Sequence, residues 1–313
     1  MKICLAGEGY MGGNHMKAVR ALDGIEVVSL AGGIGPDAEA FAQEWEIPHV
    51  SLNLEEALGQ PGVGAVILTT PNQVHAEQVA LALGMGKHVL VEIPMGMGLS
   101  EAQRVATLER EAGLVCMVCH SLRYFPTHRE VRRRVREGSL HLHHIVSQTY
   151  FFRRKNTNAL GKPRSWVDDV LWHHGCHIVD YVSWLLDDPA LAVWGQAGPV
   201  HPEFGIPLDL TIGMRSSSGC LVSAVLSFNN HGPISVSQRF IGQETTLLID
   251  GSGLRDFEGK EIPVTGDSTE IQDQEFFDAI REDRQPLTSC AACLPTMQLL
   301  DRIEKSIQEN RGE

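Results

Sequence analysis

The chain has 313 residues, of which 21% are charged and 43% hydrophobic, with 26 Lys and Arg against 39 Asp and Glu for a net charge of −13. That balance describes a folded globular protein and excludes wholesale disorder. It also excludes a whole-surface nucleic-acid binder, which needs a basic face. The length allows two domains at roughly 150 residues each. No apolar run reaches the roughly 20 residues of a membrane span.

Residues 1–7, Met1-Lys2-Ile3-Cys4-Leu5-Ala6-Gly7, enter a strand pattern directly without a signal-peptide layout. Seven cysteines are scattered along the chain; Cys116/Cys119 and Cys290/Cys293 form C-x-x-C pairs too far apart for a zinc ribbon. Unpaired structural thiols, no metal and a reducing, cytoplasmic compartment are the expectation.

In chain order, strands are predicted at 2–6, 25–31, 49–52, 65–70, 88–93 and 114–119. Helices are predicted between them at 15–22, 38–46, 54–58, 74–85 and 100–112. Strand–helix alternation with wholly apolar strands means a parallel sheet covered on both faces. This α/β domain is expected over 1–120. Gly7-Glu8-Gly9-Tyr10-Met11-Gly12 lies between the first strand and first helix, the context in which G-x-G-x-x-G binds a dinucleotide. Gly7 permits the turn, Gly9 lets the amides of Tyr10 and Met11 approach a pyrophosphate, and Gly12 allows close helix packing. Glu8 would repel that pyrophosphate, so its side chain must point away.

The second strand ends Leu30-Ala31-Gly32-Gly33-Ile34-Gly35, with no acid for the ribose hydroxyls and no arginine for a 2′-phosphate. Backbone N–H groups at Gly33 are left for such a phosphate, which favours NADP over NAD. Thr69, Thr70 and Pro71 end a parallel strand, where α/β sheets bind ligands.

After residue 120 the pattern changes. Strands are predicted at 145–152, 192–197, 208–214, 220–228, 234–242 and 245–249, with helices at 129–137, 172–186, 272–282 and 293–308. This reads as an open, largely antiparallel α+β domain over 121–313. From Ser121 to Arg164 there are eleven Lys and Arg against Glu130 and Glu137. Arg132-Arg133-Arg134 and Arg136 read as a solvated helix face. Arg153-Arg154-Lys155 ends an aromatic strand and is followed by Arg164 and Trp166, a cluster suited to a small polyanion, since guanidinium groups bind carboxylates bidentately.

Trp172-His173-His174-Gly175-Cys176-His177-Ile178-Val179-Asp180 is the most chemical stretch. His173 and His177 are i,i+4 on one helical face, and Asp180 is i,i+3 from His177. An imidazole accepts an alcohol proton near neutral pH while hydride leaves the adjoining carbon. Either His177 or His173 is the candidate base, with Asp180 orienting it; His174 points elsewhere, towards solvent or a substrate carboxylate. A metal site is disfavoured because the H-E-x-x-H glutamate is absent.

The glycine motif, Thr69-Thr70-Pro71-Asn72 with His75, Glu92-Ile93-Pro94, Arg123 and the histidine helix together resemble the glucose–fructose oxidoreductase/inositol dehydrogenase family over essentially the whole chain. The resemblance implies a Rossmann domain, an open-sheet substrate domain, a homodimer and cofactor contacts at Asn72, His75, Glu92 and Ile93. Two departures stand out: the family's Glu-Lys-Pro is Glu92-Ile93-Pro94, and its Asp-to-His helix spacing is His173 to His177. Thr149–Asn156, Pro163–Trp166, the histidine helix and Ser227–Asn230 resemble a narrower branch acting on hydroxymuconic semialdehydes, whose members tend to carry Ser-Arg after the second strand. That resemblance implies oxidation of a cyclic hemiacetal dicarboxylate by NADP or NAD, with Arg123, Arg153, Arg154, Lys155, Arg164, Trp166 and His174 around the substrate. The competing readings are a sugar or polyol dehydrogenase and a nonenzymatic NADP-binding regulator.

Overall fold

The computed structural model describes every residue except Arg154, 158–160, Lys162, Ser165 and 312–313. The chain forms two compact units, Met1–Ser121 with Asp267–Leu294, and Leu122–Gly266 with Pro295–Glu313.

The first unit holds a sheet of β1 (Lys2–Ala6), β2 (Glu26–Ala31), β3 (His49–Ser51), β4 (Val63–Leu68), β5 (His88–Val91) and β6 (Cys116–Val118). All pairs are parallel, in the order β3-β2-β1-β4-β5-β6. Its connecting helices are α1 (Tyr10–Arg20), α2 (Gly35–Trp45), α3 (Leu54–Leu58), α4 (His75–Gly84) and α5 (Leu99–Ala112). The strands are apolar because both faces are covered: Ile3, Cys4, Leu5, Ala6, Ala65 and Val66 are wholly buried. Strand order reverses between β1 and β4, so the crevice at their C-terminal ends is the ligand position of this architecture. α1 starts at Tyr10, five residues before the predicted helix. Close packing outweighs the helix penalty of Gly12 and Gly13, which the sequence pattern weighed as loop.

The second unit contains α6 (Pro126–Arg136), β7 (Leu142–Tyr150), a π-helical segment at Val170–Gly175 and α7 (Cys176–Leu186). It continues with β8 (Ala192–Ala197), β9 (Asp209–Arg215), β10 (Leu221–Ser227), β11 (Ser235–Gly242), β12 (Thr246–Asp250) and β13 (Gly253–Arg255). The sheet order is β13-β12-β11-β7-β10-β9-β8. Only β7 and β10 pair in parallel among these strands; the others are antiparallel. Residues alternate between buried and exposed along β10, as in a sheet packed on one face.

Two helices follow, α8 (Ser268–Arg281) and α9 (Cys290–Arg311). Residues 267–294, expected in a continuous C-terminal domain, belong instead to the first unit. The reason is a buried polar pair: Asp273 on α8 meets His15 on α1 at 2.8 Å. None of the seven cysteines forms a disulfide, and all are buried. Cys116 faces Cys290, not its C-x-x-C neighbour, with sulfurs 3.2 Å apart. No helix among the described residues is long and apolar enough to cross a membrane.

Candidate functional site

The glycine motif turns as its chemistry requires. Gly7 has φ +108°, and a Cβ there would lie 2.6 Å from Thr69 Oγ1. A Cβ at Gly12 would lie 2.2 Å from the Gly7 carbonyl oxygen. Both positions therefore exclude side chains. Around Gly9 a Cβ would meet nothing within 4 Å, so a ligand can approach the backbone. α1 begins there with no side-chain cap and no acid in its first turn. Its leading N–H groups, at Tyr10, Met11 and Gly12, are available to an anion, and the helix dipole favours one. These residues fit a dinucleotide pyrophosphate.

Glu8 does point away from that position. Its carboxylate accepts hydrogen bonds from Gly33 N (3.1 Å to Oε1, 3.0 Å to Oε2) and Ile34 N (2.9 Å to Oε1). These are the amides that the sequence reading left for a 2′-phosphate, so its ground for preferring NADP is removed. An acid does stand at the end of β2, supplied by the glycine loop.

Several side chains expected to contact the cofactor are used to shape the strand ends. The Thr69 hydroxyl donates to the carbonyls of Ala6 (2.9 Å) and Gly7 (3.1 Å), fixing the glycine loop. Thr70 donates to Gln78 on α4. Pro71 leads into a 3₁₀ turn over Asn72–Val74, where Asn72 is buried. His75 is buried, with Nδ1 2.8 Å from the Pro94 carbonyl and Nε2 2.9 Å from the Thr70 carbonyl. It clamps the loops after β4 and β5, and burial holds its pKa below the usual imidazole value. Both ring nitrogens of His75, a residue expected at the cofactor, face main-chain oxygens.

Glu92 follows β5, with Oε1 3.2 Å from His15 Nε2 and Oε2 accepting from Ile93 N at 3.2 Å. His15 is completely buried. Burial opposes its charge, but Asp273, Cys119 and Glu92 together hold its pKa well above the usual imidazole range. An imidazolium therefore ties Glu92 to Asp273. The sequence analysis missed both His15 and Asp273; one signal was available, a histidine facing inward on the first helix.

In the second unit a charged cluster surrounds Asp168, a residue the sequence analysis passed over. Asp168 is 2% exposed. Its Oδ2 accepts from Arg153, from Arg164 at 2.6 Å, and lies 4.0 Å from His173 Nε2. Burial works against this carboxylate, yet His173, Arg164 and Arg153 hold its pKa below the usual value. The neighbouring Asp169 does different work: it accepts from Leu171 N and Trp172 N, each at 2.8 Å, and starts the histidine helix. An Asp-Asp pair before a helix, needing only one cap, was the overlooked signal.

A small, solvent-open cleft is lined by Arg153, Lys155, Asn156, Arg164, Asp168 and Phe228, among others. Three cations thus face one carboxylate. The Arg164 guanidinium lies 5.6 Å from the centre of the Trp166 ring. His173 and His174 meet edge-on at 4.6 Å, and His174 packs against Phe151 and Phe228. Burial first, then the charges of His173 and Arg153, keep the His174 pKa well below the usual range, so its ring is neutral. His174 is therefore packed among aromatic rings, not turned to solvent. Arg154 lies outside the described residues.

The histidine segment is π-helical over Val170–Gly175 and α-helical from Cys176. Such π segments recur at functional sites and shift side chains from the faces an ideal α-helix gives them. The segment brings together Asp168, His173 and His174, whose ligand-type atoms lie within 4.8 Å of one another. His177 is half-buried in the first turn of α7. Asp180, expected to orient it, accepts a bidentate pair from Arg123 (2.8 and 2.6 Å) and a bond from Thr296 Oγ1 (2.8 Å). Arg123 is only 5% exposed. Its guanidinium, expected at the substrate, is engaged by Asp180 within the second unit.

Among the described residues, one group lying wholly within the second unit, Asp168–His173–His174, and one lying wholly within the first, His15–Glu92–Cys119, have the donors for a metal. The former is flanked by two guanidinium groups, which repel a cation. In the latter, the protonated His15 has no lone pair to give, and burial holds the Cys119 thiol far above its usual pKa.

Residues 1–120 match the oxidoreductase family with an NAD-binding Rossmann fold, and 126–267 match the C-terminal domain of bacterial oxidoreductases. The chain is 39% identical to 4-carboxy-2-hydroxymuconate-6-semialdehyde dehydrogenase of Sphingobium sp., over 99% of each chain. It is 39% identical to 1,5-anhydro-D-fructose reductase of Ensifer adhaerens, over 65% of this chain and 62% of that one. Levoglucosan dehydrogenase, solved with NADH and levoglucosan, shares the fold at a TM-score of 0.86 and 19% identity, over 99% of this chain and 97% of the other. The chain belongs to the oxidoreductase family with the NAD-binding Rossmann fold, that of glucose–fructose oxidoreductase and inositol dehydrogenase, and is an NAD(P)-dependent dehydrogenase.

Proposed function

We propose that this dehydrogenase oxidises the cyclic hemiacetal of 4-carboxy-2-hydroxymuconate-6-semialdehyde to 2-pyrone-4,6-dicarboxylate, a cytoplasmic step of protocatechuate 4,5-cleavage. The observation that carries this reading is the cleft in which Arg153, Lys155 and Arg164 outnumber Asp168 beside the His173–His174 pair. Such a cleft suits a dianion and offers little to a neutral sugar. The near full-length likeness to the Sphingobium semialdehyde dehydrogenase supports the same substrate.

A nicotinamide, when held by the glycine loop, would supply the hydride acceptor for the hemiacetal carbon. The hydroxyl proton goes to an imidazole, His177 or His173, because Ile93 replaces the lysine found in the sugar-oxidising relatives' motif. Beside His173, Asp168 stabilises the imidazolium that proton uptake creates. Arg153, Lys155 and Arg164 hold the two carboxylates, and Trp166 flanks them. In the first unit the amides behind Gly9 would hold the pyrophosphate, and Glu92, fixed by His15, would receive a ribose hydroxyl.

The test is spectrophotometric. The purified protein is mixed with the protocatechuate ring-cleavage product and NAD⁺ or NADP⁺, and formation of reduced nicotinamide is followed. Turnover with pyrone dicarboxylate as product is expected. Turnover of inositol or glucose, with none of the semialdehyde, would establish the sugar or polyol reading instead.

A further inference from the structure

We propose that Glu8 makes this enzyme select NAD over NADP. The inference rests on the glycine loop being a nicotinamide-dinucleotide site, as set out above. In this architecture an acid at the C-terminal end of the second strand receives the hydroxyls of the adenosine ribose. Here β2 ends Leu30-Ala31-Gly32-Gly33, and no acid stands there in the sequence. The fold supplies one from elsewhere: the Glu8 side chain spans from the glycine loop to the amides of Gly33 and Ile34.

The hydrogen-bond arithmetic defines what this carboxylate can still do. Oε1 accepts from both Gly33 and Ile34, whereas Oε2 accepts from Gly33 alone. A carboxylate has about four acceptor sites, so Oε2 keeps one for a hydroxyl donor. A ribose 2′-hydroxyl satisfies it. A 2′-phosphate, at nearly two negative charges, meets a fixed negative charge instead. It also finds the two amides that would have bound it already engaged. No counter-charge is at hand, since residues 30–45 contain no Lys or Arg and include Asp37, Glu39 and Glu44. The two glycines have a positional role too. A Cβ at Gly32 would lie 2.3 Å from Ala38 Cβ, and one at Gly33 would touch only Glu8 Oε1, at 3.6 Å. Small residues at the strand end leave the space through which Glu8 reaches.

Binding without substrate separates this proposal from the proposed reaction. NADH and NADPH are titrated into the full-length protein, and dissociation constants are read from nucleotide fluorescence or calorimetry. The wild type is expected to bind NADH on the order of tenfold or more tighter than NADPH. Glu8→Gln keeps the shape and the acceptor for the Gly33 and Ile34 amides while removing the charge; it should tighten NADPH and close most of the gap. Glu8→Ala with Gly33→Arg should reverse the preference. If Glu8→Gln does not fold, as judged by its thermal transition, Gly33→Arg alone serves: its guanidinium neutralises Glu8 and should tighten NADPH. Equal or tighter NADPH binding by the wild type overturns the proposal, as does an unchanged ratio in Glu8→Gln or in the substitute variant. Failure of the wild type to bind either nucleotide overturns the dinucleotide reading and this proposal together.

Discussion

Replacing Asp168 tests the electrostatics of the cleft most directly. Asp168→Asn keeps the side-chain volume and removes a carboxylate that faces Arg153, Arg164 and His173. The Asp168 and Arg164 side chains are 3% and 8% exposed, while Arg153 is 27% exposed. Breaking a fully buried pair costs about 3–5 kcal/mol, because the surviving charge is left unbalanced. Arg153 can turn partly into water, so a loss of about 2–4 kcal/mol is the appropriate expectation here. For a unit of this size, that lowers the thermal midpoint by roughly 5–15 °C. Thermal unfolding followed by circular dichroism at neutral pH and low salt measures it. Pyrone dicarboxylate should recover more of the midpoint in the variant than in the wild type, since the ligand's carboxylates replace the missing charge. A loss under about 1 kcal/mol, or no extra recovery by the dianion, would show that the arginines do not depend on this acid and would refute the reasoning.

Two further outcomes follow from the geometry. Of His177→Ala and His173→Ala, the variant lacking the general base should lose roughly 10²–10⁴ in kcat with little change in nucleotide affinity; near-normal turnover in both would remove the imidazoles from the chemistry. Asp273→Asn should give a pH-dependent loss of stability. The folded-state pKa of His15 is raised, so its contribution is fully present below the unfolded value of about 6.5 and is lost as pH climbs through the folded value. Denaturant unfolding should therefore show the wild-type advantage shrinking as pH rises above about 6.5, and a constant advantage would contradict a charged His15.

The parts of the fold that could be read in advance are those with a repeating pattern. β1, β4 and β5 are unbroken apolar runs, and the strands from β8 to β12 fall within a residue or two of their expected positions. The short β13 was not anticipated, since three residues carry too little period to detect. The π-helical segment was read as ordinary helix because periodicity cannot distinguish a widened turn at Val170–Gly175. Partners of polar side chains were the least legible. Arg123, His75 and Asp180 look functional by type, and the sequence did not show that Arg123 and Asp180 pair, that Thr296 donates to Asp180, or that His75 faces two carbonyls. Asp168 was passed over and Glu8 was read only as a group that must point away, yet they place charge at the two candidate ligand positions. Composition gives the sign of a group; only folding decides whom it neutralises.

The return of residues 267–294 to the parallel-sheet unit has a practical corollary. An excised fragment ending near residue 120 would retain the entire nucleotide fingerprint but would lack Asp273 and the thiol partner of Cys116. It would leave His15 without its nearest carboxylate, and Glu109 without the amides of Cys290 and Ala291 that it accepts from. A linear cut therefore does not yield an autonomous coenzyme module. A minimal version of that unit would have to splice 267–294 back onto its N-terminal portion.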